Sequence, residues 1–193
     1  MADIAAVILA GGEASRLPGK LSMDVGGVPM LVRVYENVRS LGDVYVSARE
    51  PAPDVVRSLP CRIVYDRFAQ SGPLAGLISA FEAIDAATVL AVAGDAPLFG
   101  GNAIAQLRDA WTEGSHAVVP IDRDGRLHPL CALYDRPAFL QHAAGVLENS
   151  AAVLDVVRLL RPTYVRLHDP EALRNINTPA EYASLQRRAA PAG

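Results

Sequence analysis

Short apolar runs and segments of helical period take turns along the whole of this chain, and that alternation constrains the fold more than any single motif. Ile4 to Leu9 is an apolar run of strand length. After a glycine-rich loop, Pro29 to Ser40 places Met30, Leu31, Val34 and Val38 at helical spacing, with Pro29 suited to a first turn. The same reading expects strands at 43–47, 62–65, 88–92, 116–120, 130–134 and 163–167. It expects helices at 53–59, 74–84, 103–113, 136–147, 152–160 and from Thr178 onward. Asp122-Arg-Asp-Gly125 is a tight turn, so the strands on either side of it are expected to form a small hairpin. Strands separated by helices imply an α/β protein of three layers, α/β/α, with a mostly parallel sheet. Right-handed crossovers then gather the loops after the strands at one edge, where open sheets of this kind bind ligands.

The totals agree with one domain over 1–189 and a frayed tail at 190–193. At 193 residues, 51% of them hydrophobic, the chain can bury a single core. Net charge is −3, which argues against nucleic-acid and membrane-surface partners, since both usually need a basic face. Met1-Ala-Asp-Ile4 has no basic segment and runs directly into a strand, so no signal peptide is expected and the location reads as cytoplasmic. Cys61 and Cys131 sit in apolar surroundings and read as reduced core residues; they lie too far apart for a metal-binding pattern.

The loop from Leu9 to Lys20 carries the chemistry. Of 18 cationic side chains, Lys20 is the single lysine, which leaves 17 arginines. Gly11 and Gly12 permit positive φ and close backbone approach, so the loop suits an anion cradle, with Arg16 and Lys20 supplying charge. A compact ammonium is not interchangeable with a planar guanidinium at such a place. The spacing is neither Gly-x-Gly-x-x-Gly nor a P-loop, because the glycines do not stand at those intervals and Ser22 is one residue late.

This loop resembles the nucleotidyltransferase signature Leu-x-Gly-Gly-x-x-x-Arg-(Met/Leu)-…-Lys. The order of four further segments is similar to that of the molybdenum cofactor guanylyltransferases. They are Asp66 with Ser71-Gly-Pro-Leu-Ala-Gly76, Gly94-Asp-Ala-Pro97, Leu127-His-Pro-Leu-Cys-Ala-Leu-Tyr134 and Asn175-Ile-Asn-Thr-Pro-Ala-Glu-Tyr182. The resemblance implies a Rossmann-like sheet of the nucleotide-diphospho-sugar-transferase type. It implies transfer of GMP from GTP to the terminal phosphate of molybdopterin with release of pyrophosphate. Molybdoenzymes or their chaperones would then be partners for the product.

Asp95 closes a central strand and is the candidate ligand for Mg²⁺, or for Mn²⁺ in its place, because magnesium takes one or two carboxylates plus phosphate oxygens. The plain alternative is that Asp95 caps the next helix or closes a turn with Pro97. Asn177 is the candidate second metal ligand or an orienter of the acceptor. Thr178-Pro179-x-Glu181 is a helix capping box that needs no further role, yet it does not account for Asn175 and Asn177. The resemblance implies that Leu9, Ala10, Asp66, Gly72 and Gly76 surround the nucleoside, with Gly76 letting a helix backbone approach it closely. The amides of Ala10, Gly11 and Gly12, with Arg16 and Lys20, would hold the triphosphate. His128, Asn175 and Asn177 would face the acceptor.

Two departures stand out. Pro18-Gly19 replaces the longer acidic segment before the lysine, and Ser47-Ala-Arg49 stands where the guanylyltransferases carry an asparagine-containing segment. The second departure leaves the base open between guanine and cytosine. Transfer to another small phosphorylated acceptor, and a non-catalytic protein that binds nucleotide or molybdopterin for delivery, remain as alternatives. A nicotinamide-dependent oxidoreductase is disfavoured by the missing third glycine.

Overall fold

The computed structural model describes residues 4–11, 17–68, 72–149 and 152–189. The elements follow in the order β1 (Ile4–Leu9), α1 (Met30–Val38), β2 (Val44–Ala48), α2 (Asp54–Arg57), β3 (Arg62–Tyr65), α3 (Pro73–Glu82) and β4 (Thr88–Ala93). Then come α4 (Gly101–Asp109), β5 (Ala117–Ile121), β6 (Cys131–Asp135), α5 (Arg136–Asn149), α6 (Val153–Leu160), β7 (Thr163–Arg166) and α7 (Pro179–Ala189). Short 3₁₀ turns at Lys20–Ser22 and Pro170–Leu173 were not expected from the sequence.

The strands form one seven-stranded sheet in the order β3-β2-β1-β4-β6-β5-β7. Among the described residues, β6 alone runs against its neighbours, pairing antiparallel with β4 on one side and β5 on the other. The expected antiparallel pair therefore forms, but as part of the main sheet. The Cys131-Ala-Leu-Tyr134 run explains its place, because all four residues are buried, as a strand covered on both faces must be. The strand order reverses between β1 and β4, which pair in parallel from Ile4↔Thr88 to Leu9↔Ala93. Their carboxyl ends diverge into different loops there and open a crevice.

Both faces of the sheet are covered. Ile4, Ala6 and Ile8 of β1 pack with Leu31 and Val34 of α1 and Ile104 of α4. Ala5 and Val7 point the other way, into a core built with α3, α5 and α6. The alternation along β1 is the period-2 pattern of a strand between two helix layers. Phe81, Tyr134 and Phe139 form an aromatic cluster in the second core, with the Phe81 and Phe139 rings 4.7 Å apart. Helix α4 ends earlier than its pattern suggests. Thr112 and Ser115 close a local turn, with the Thr112 amide donating to Ser115 Oγ at 3.0 Å, and that competes with another helical turn.

A third, smaller core lies outside the layers. Leu17, Val25 and Met30 meet Ile176 and Leu185, with Met23, Leu98 and Tyr182 alongside. It joins the segment after the glycine loop to the last helix. The Tyr182 hydroxyl and the Gln186 amide both donate to the Asp24 carbonyl, each at 2.5 Å. Residues distant in sequence are thereby fixed beside the crevice.

Candidate active site

A cleft of about 570 Å³ opens at the carboxyl ends of β1, β2, β3 and β4, a size that suits a small-molecule ligand. Leu9, Ala10, Gly11, Lys20, Asp66, Gly72, Gly76, Asp95, Asn175 and Asn177 all line it. Gly12 and Arg16 lie outside the described residues.

Lys20 is positioned by its own short loop. Gly19 takes a left-handed conformation at φ 69, ψ 11, and the Lys20 amide donates to the Leu17 carbonyl at 3.3 Å. Proline followed by a glycine at positive φ is the signature of a type II turn. The unusual Pro18-Gly19 thus aims the lysine. Gly11, by contrast, has no positive φ, and a Cβ there would meet Arg49 only at an ordinary 3.8 Å; among the described residues of this loop the left-handed position is at Gly19.

Asp95 is set by a steric requirement at Gly94. A Cβ on Gly94 would lie 2.9 Å from the Leu9 carbonyl oxygen, which already accepts the Gly94 amide at 3.0 Å. The ends of β1 and β4 can approach this closely only with glycine there. The Asp95 carboxylate does not cap a helix. It pairs with the Lys20 ammonium, and each side chain is only 14% exposed. The Asp95 carbonyl accepts the Ile176 amide at 2.9 Å, which brings the 175–177 segment alongside.

Asn177 completes the cluster. Its Oδ1 accepts from Lys20 Nζ at 2.8 Å. The capping box read from the sequence is present: the Glu181 amide donates to Thr178 Oγ1 at 3.3 Å and the Thr178 amide to Glu181 Oε2 at 2.9 Å. The same Oε2 also accepts the Asn177 amide at 2.7 Å. That last bond is the leading reason the Glu181 carboxyl is held below its ordinary value.

The nucleoside-side candidates stand across the cleft. Asp66 follows β3, its amide donating to the Ala48 carbonyl at 3.1 Å and its carboxylate accepting the Phe68 amide at 3.2 Å. Gly72 has φ 134, which favours glycine, and precedes Pro73 at the start of α3. Gly76 permits close approach within the fold as well as lining the cleft. A Cβ there would lie 2.6 Å from Ser47 Oγ, so the missing side chain seats α3 on the end of β2.

One further expectation needs correction, and one candidate stands apart from the cleft lining. The Ala10 amide is not available to a phosphate, because sheet pairing continues one residue past β1 and it donates to Ser47 O at 2.8 Å. His128 is not among the residues lining the cleft. It sits on the β5–β6 connection with its ring nitrogen Nε2 3.3 Å from Asp122. Asp122 also accepts the Arg126 amide at 2.8 Å, and these bonds hold its carboxyl below the ordinary value, Arg126 contributing most. Sequence reasoning missed Ser47 and Leu130 as lining residues; an apolar Leu130 beside His128-Pro129 carries no signal of its own.

The donor set fits a hard divalent cation. One carboxylate and one amide oxygen already share a cation, the Lys20 ammonium. Among the described residues no group of three or more His, Cys, Asp or Glu is placed to hold a metal, so such an ion would need phosphate oxygens to complete its shell.

The MobA-like NTP transferase domain matches residues 6–163. The chain belongs to that family. Like its other members it is a nucleotidyltransferase. A probable molybdenum cofactor guanylyltransferase of Pelotomaculum thermopropionicum is 30% identical over 190 residues, 94% of this chain and 91% of the relative. Another of that name, from Bacillus velezensis, is 28% identical over 191 residues, 93% of this chain and 92% of the relative. Among solved structures, molybdopterin-guanine dinucleotide biosynthesis protein A from Archaeoglobus fulgidus superposes with a TM-score of 0.81 at 18% identity. It covers 95% of this chain and 97% of that one. The two chains thus share one α/β fold. Among the described residues no helix is long and apolar enough to cross a membrane.

Proposed function

We propose that this nucleotidyltransferase transfers GMP from GTP to the terminal phosphate of molybdopterin and releases pyrophosphate. The observation that carries the reading is the convergence of Lys20, Asp95 and Asn177 beside the β1–β4 crevice. In the reaction an acceptor phosphate oxygen bonds to the α-phosphorus of GTP as the α–β phosphoanhydride bond breaks. The acceptor is already anionic at neutral pH, so no general base is required. The chain's task is positioning and charge stabilisation.

Lys20 would hold the triphosphate and the departing pyrophosphate. Asp66 and the Gly72–Gly76 turn would flank the nucleoside, and Asn175 would stand toward the acceptor. Asp95 and Asn177 would hold Mg²⁺, with Mn²⁺ as a substitute. When bound there, the ion supplies charge neutralisation to the phosphates. Molybdoenzymes or their chaperones would receive the product, and the location would be the cytoplasm.

The cytidylyl reading shares this mechanism, and Arg49 in the cleft lining keeps it open. Pyrophosphate release with each of GTP, CTP, ATP and UTP, supplied with Mg²⁺ and molybdopterin, separates the two. Turnover with GTP supports the proposal. Turnover with CTP alone moves the activity to the cytidylyl branch, and turnover with none of the four rejects both.

A further inference from the structure

The bond between Glu181 and the Asn177 amide exceeds what a helix start requires. In a capping box the third helical residue reaches back to the amide of the capping residue, and that bond is present at Thr178. Here the same carboxylate oxygen reaches one residue further and takes the Asn177 amide, at the shorter distance of 2.7 Å. Asn177 precedes the cap, so this bond adds nothing to the helix. It fixes the peptide from which the Asn177 side chain springs, and that side chain accepts from Lys20 Nζ at 2.8 Å. On the other side, the Ile176 amide is tied to the Asp95 carbonyl and the Ile176 side chain is fully buried in the third core. The segment is therefore pinned at two successive amides, which fixes the backbone from which the Asn177 side chain leaves. Glu181 itself does not line the cleft.

We infer that Glu181 is a positioning residue for nucleotidyl transfer, acting through the Asn177 amide to hold the Asn177 oxygen against Lys20. The inference rests on the role proposed above for Asn177. It differs from plain helix capping in what it expects of neighbouring substitutions. Thr178→Ala removes the hydroxyl half of the box and leaves the Glu181–Asn177 bond intact. Glu181→Gln keeps an oxygen that can accept both amides. Glu181→Ala loses both bonds. Glu181→Asp keeps a charge at the helix N-terminus but loses reach, and so serves if the alanine variant does not fold.

The test uses two readouts on the full chain. In the ¹H–¹⁵N spectrum of the protein without ligands, the Asn177 side-chain amide signals are assigned by their loss in Asn177→Ala. Glu181→Ala and Glu181→Asp should shift them, while Glu181→Gln and Thr178→Ala leave them near the wild-type position. In pyrophosphate release at saturating nucleotide, Glu181→Ala should lower kcat about tenfold, Glu181→Gln should recover most of it, and the Asn177→Ala/Glu181→Ala double variant should be no slower than Asn177→Ala. Asn177 signals unmoved in both Glu181→Ala and Glu181→Asp, or equal losses of kcat in Thr178→Ala and Glu181→Ala, would overturn the inference. If the wild-type protein releases no pyrophosphate, the proposed reaction falls while the spectrum still decides what Glu181 does.

Discussion

Lys20 and Asp95, 75 positions apart in the chain, form an ion pair in the cleft with both side chains largely withdrawn from water. Each is brought there by a separate device, Lys20 by the Pro18-Gly19 turn and Asp95 by the close approach of β4 to β1 at Gly94. The ammonium balances the carboxylate. On the proposed function, a nucleoside triphosphate would compete for the one and a divalent cation for the other.

Removal of the ammonium should therefore cost rate. Lys20→Ala is expected to lower kcat by a factor on the order of 10²–10³, typical of losing one preorganised charge-stabilising group. Lys20→Arg should not restore it, because a forked guanidinium cannot reproduce a compact ammonium. Steady-state pyrophosphate release on the two variants checks this.

The same pair predicts an effect on cation binding that needs no turnover. Lys20 Nζ occupies the oxygens of Asp95 and Asn177. Without nucleotide, Lys20→Ala should bind Mn²⁺ more tightly than the wild-type chain, since the competing charge is gone. Asp95→Asn should bind it more weakly than either. Electron paramagnetic resonance titration with Mn²⁺ measures all three.

Gly94→Ala tests the packing that sets Asp95. The added carbon would meet the Leu9 carbonyl at 2.9 Å and Leu31 Cδ1 at 3.2 Å. Overpacking of this sort costs about 1–3 kcal/mol. That corresponds to a loss of roughly 2–4 °C in Tm per kcal/mol for a chain of this length. Thermal unfolding of the variant should show it, together with slowed turnover because Asp95 is the next residue.

The two thiols should differ sharply. Burial pushes the Cys131 thiol up to about 12, so it carries no appreciable thiolate at pH 8. Cys61 is raised by burial too, but it is only half-buried. Titration of the native protein with a thiol reagent at pH 8 should modify Cys61 slowly and leave Cys131 untouched until urea unfolds the chain.

Asp122 gives a prediction in pH. Its carboxyl lies below the ordinary 3.8 in the folded chain, through the Arg126 amide first and His128 after it. A lowered folded value means that its contribution to stability is complete above about 3.8 and is lost as pH falls through the folded value. Urea midpoints of wild type and Asp122→Ala should differ at pH 5, and the gap should narrow near pH 3.

Much of the fold was legible because its signals are local. Ile4–Leu9 and Arg62–Tyr65 are the strands the sequence expects, and the helices differ mainly at their ends. What the sequence does not carry is the position of β6 between β4 and β5, since strand order depends on pairing between distant segments. The candidate site divides in the same way. Lys20, Asp95 and Asn177 are visible as residues that local structure leaves unexplained, whereas their meeting is a product of the third core and the Ile176–Asp95 tie. The Ala10 amide is taken by the Ser47 carbonyl because sheet pairing outlasts the apolar run by one residue, which the sequence does not show. The contact of His128 with Asp122 across the β5–β6 turn has no signal in the sequence. Glu181 was hidden by a motif that its Thr178 bond already satisfies.

The most direct test of the account is GTP-dependent pyrophosphate release with Mg²⁺ and molybdopterin by the wild-type chain beside Lys20→Ala and Asp95→Asn. The account predicts release matched one for one by guanine dinucleotide product, with both variants slowed by a hundredfold or so. A rate unchanged in either variant would contradict it.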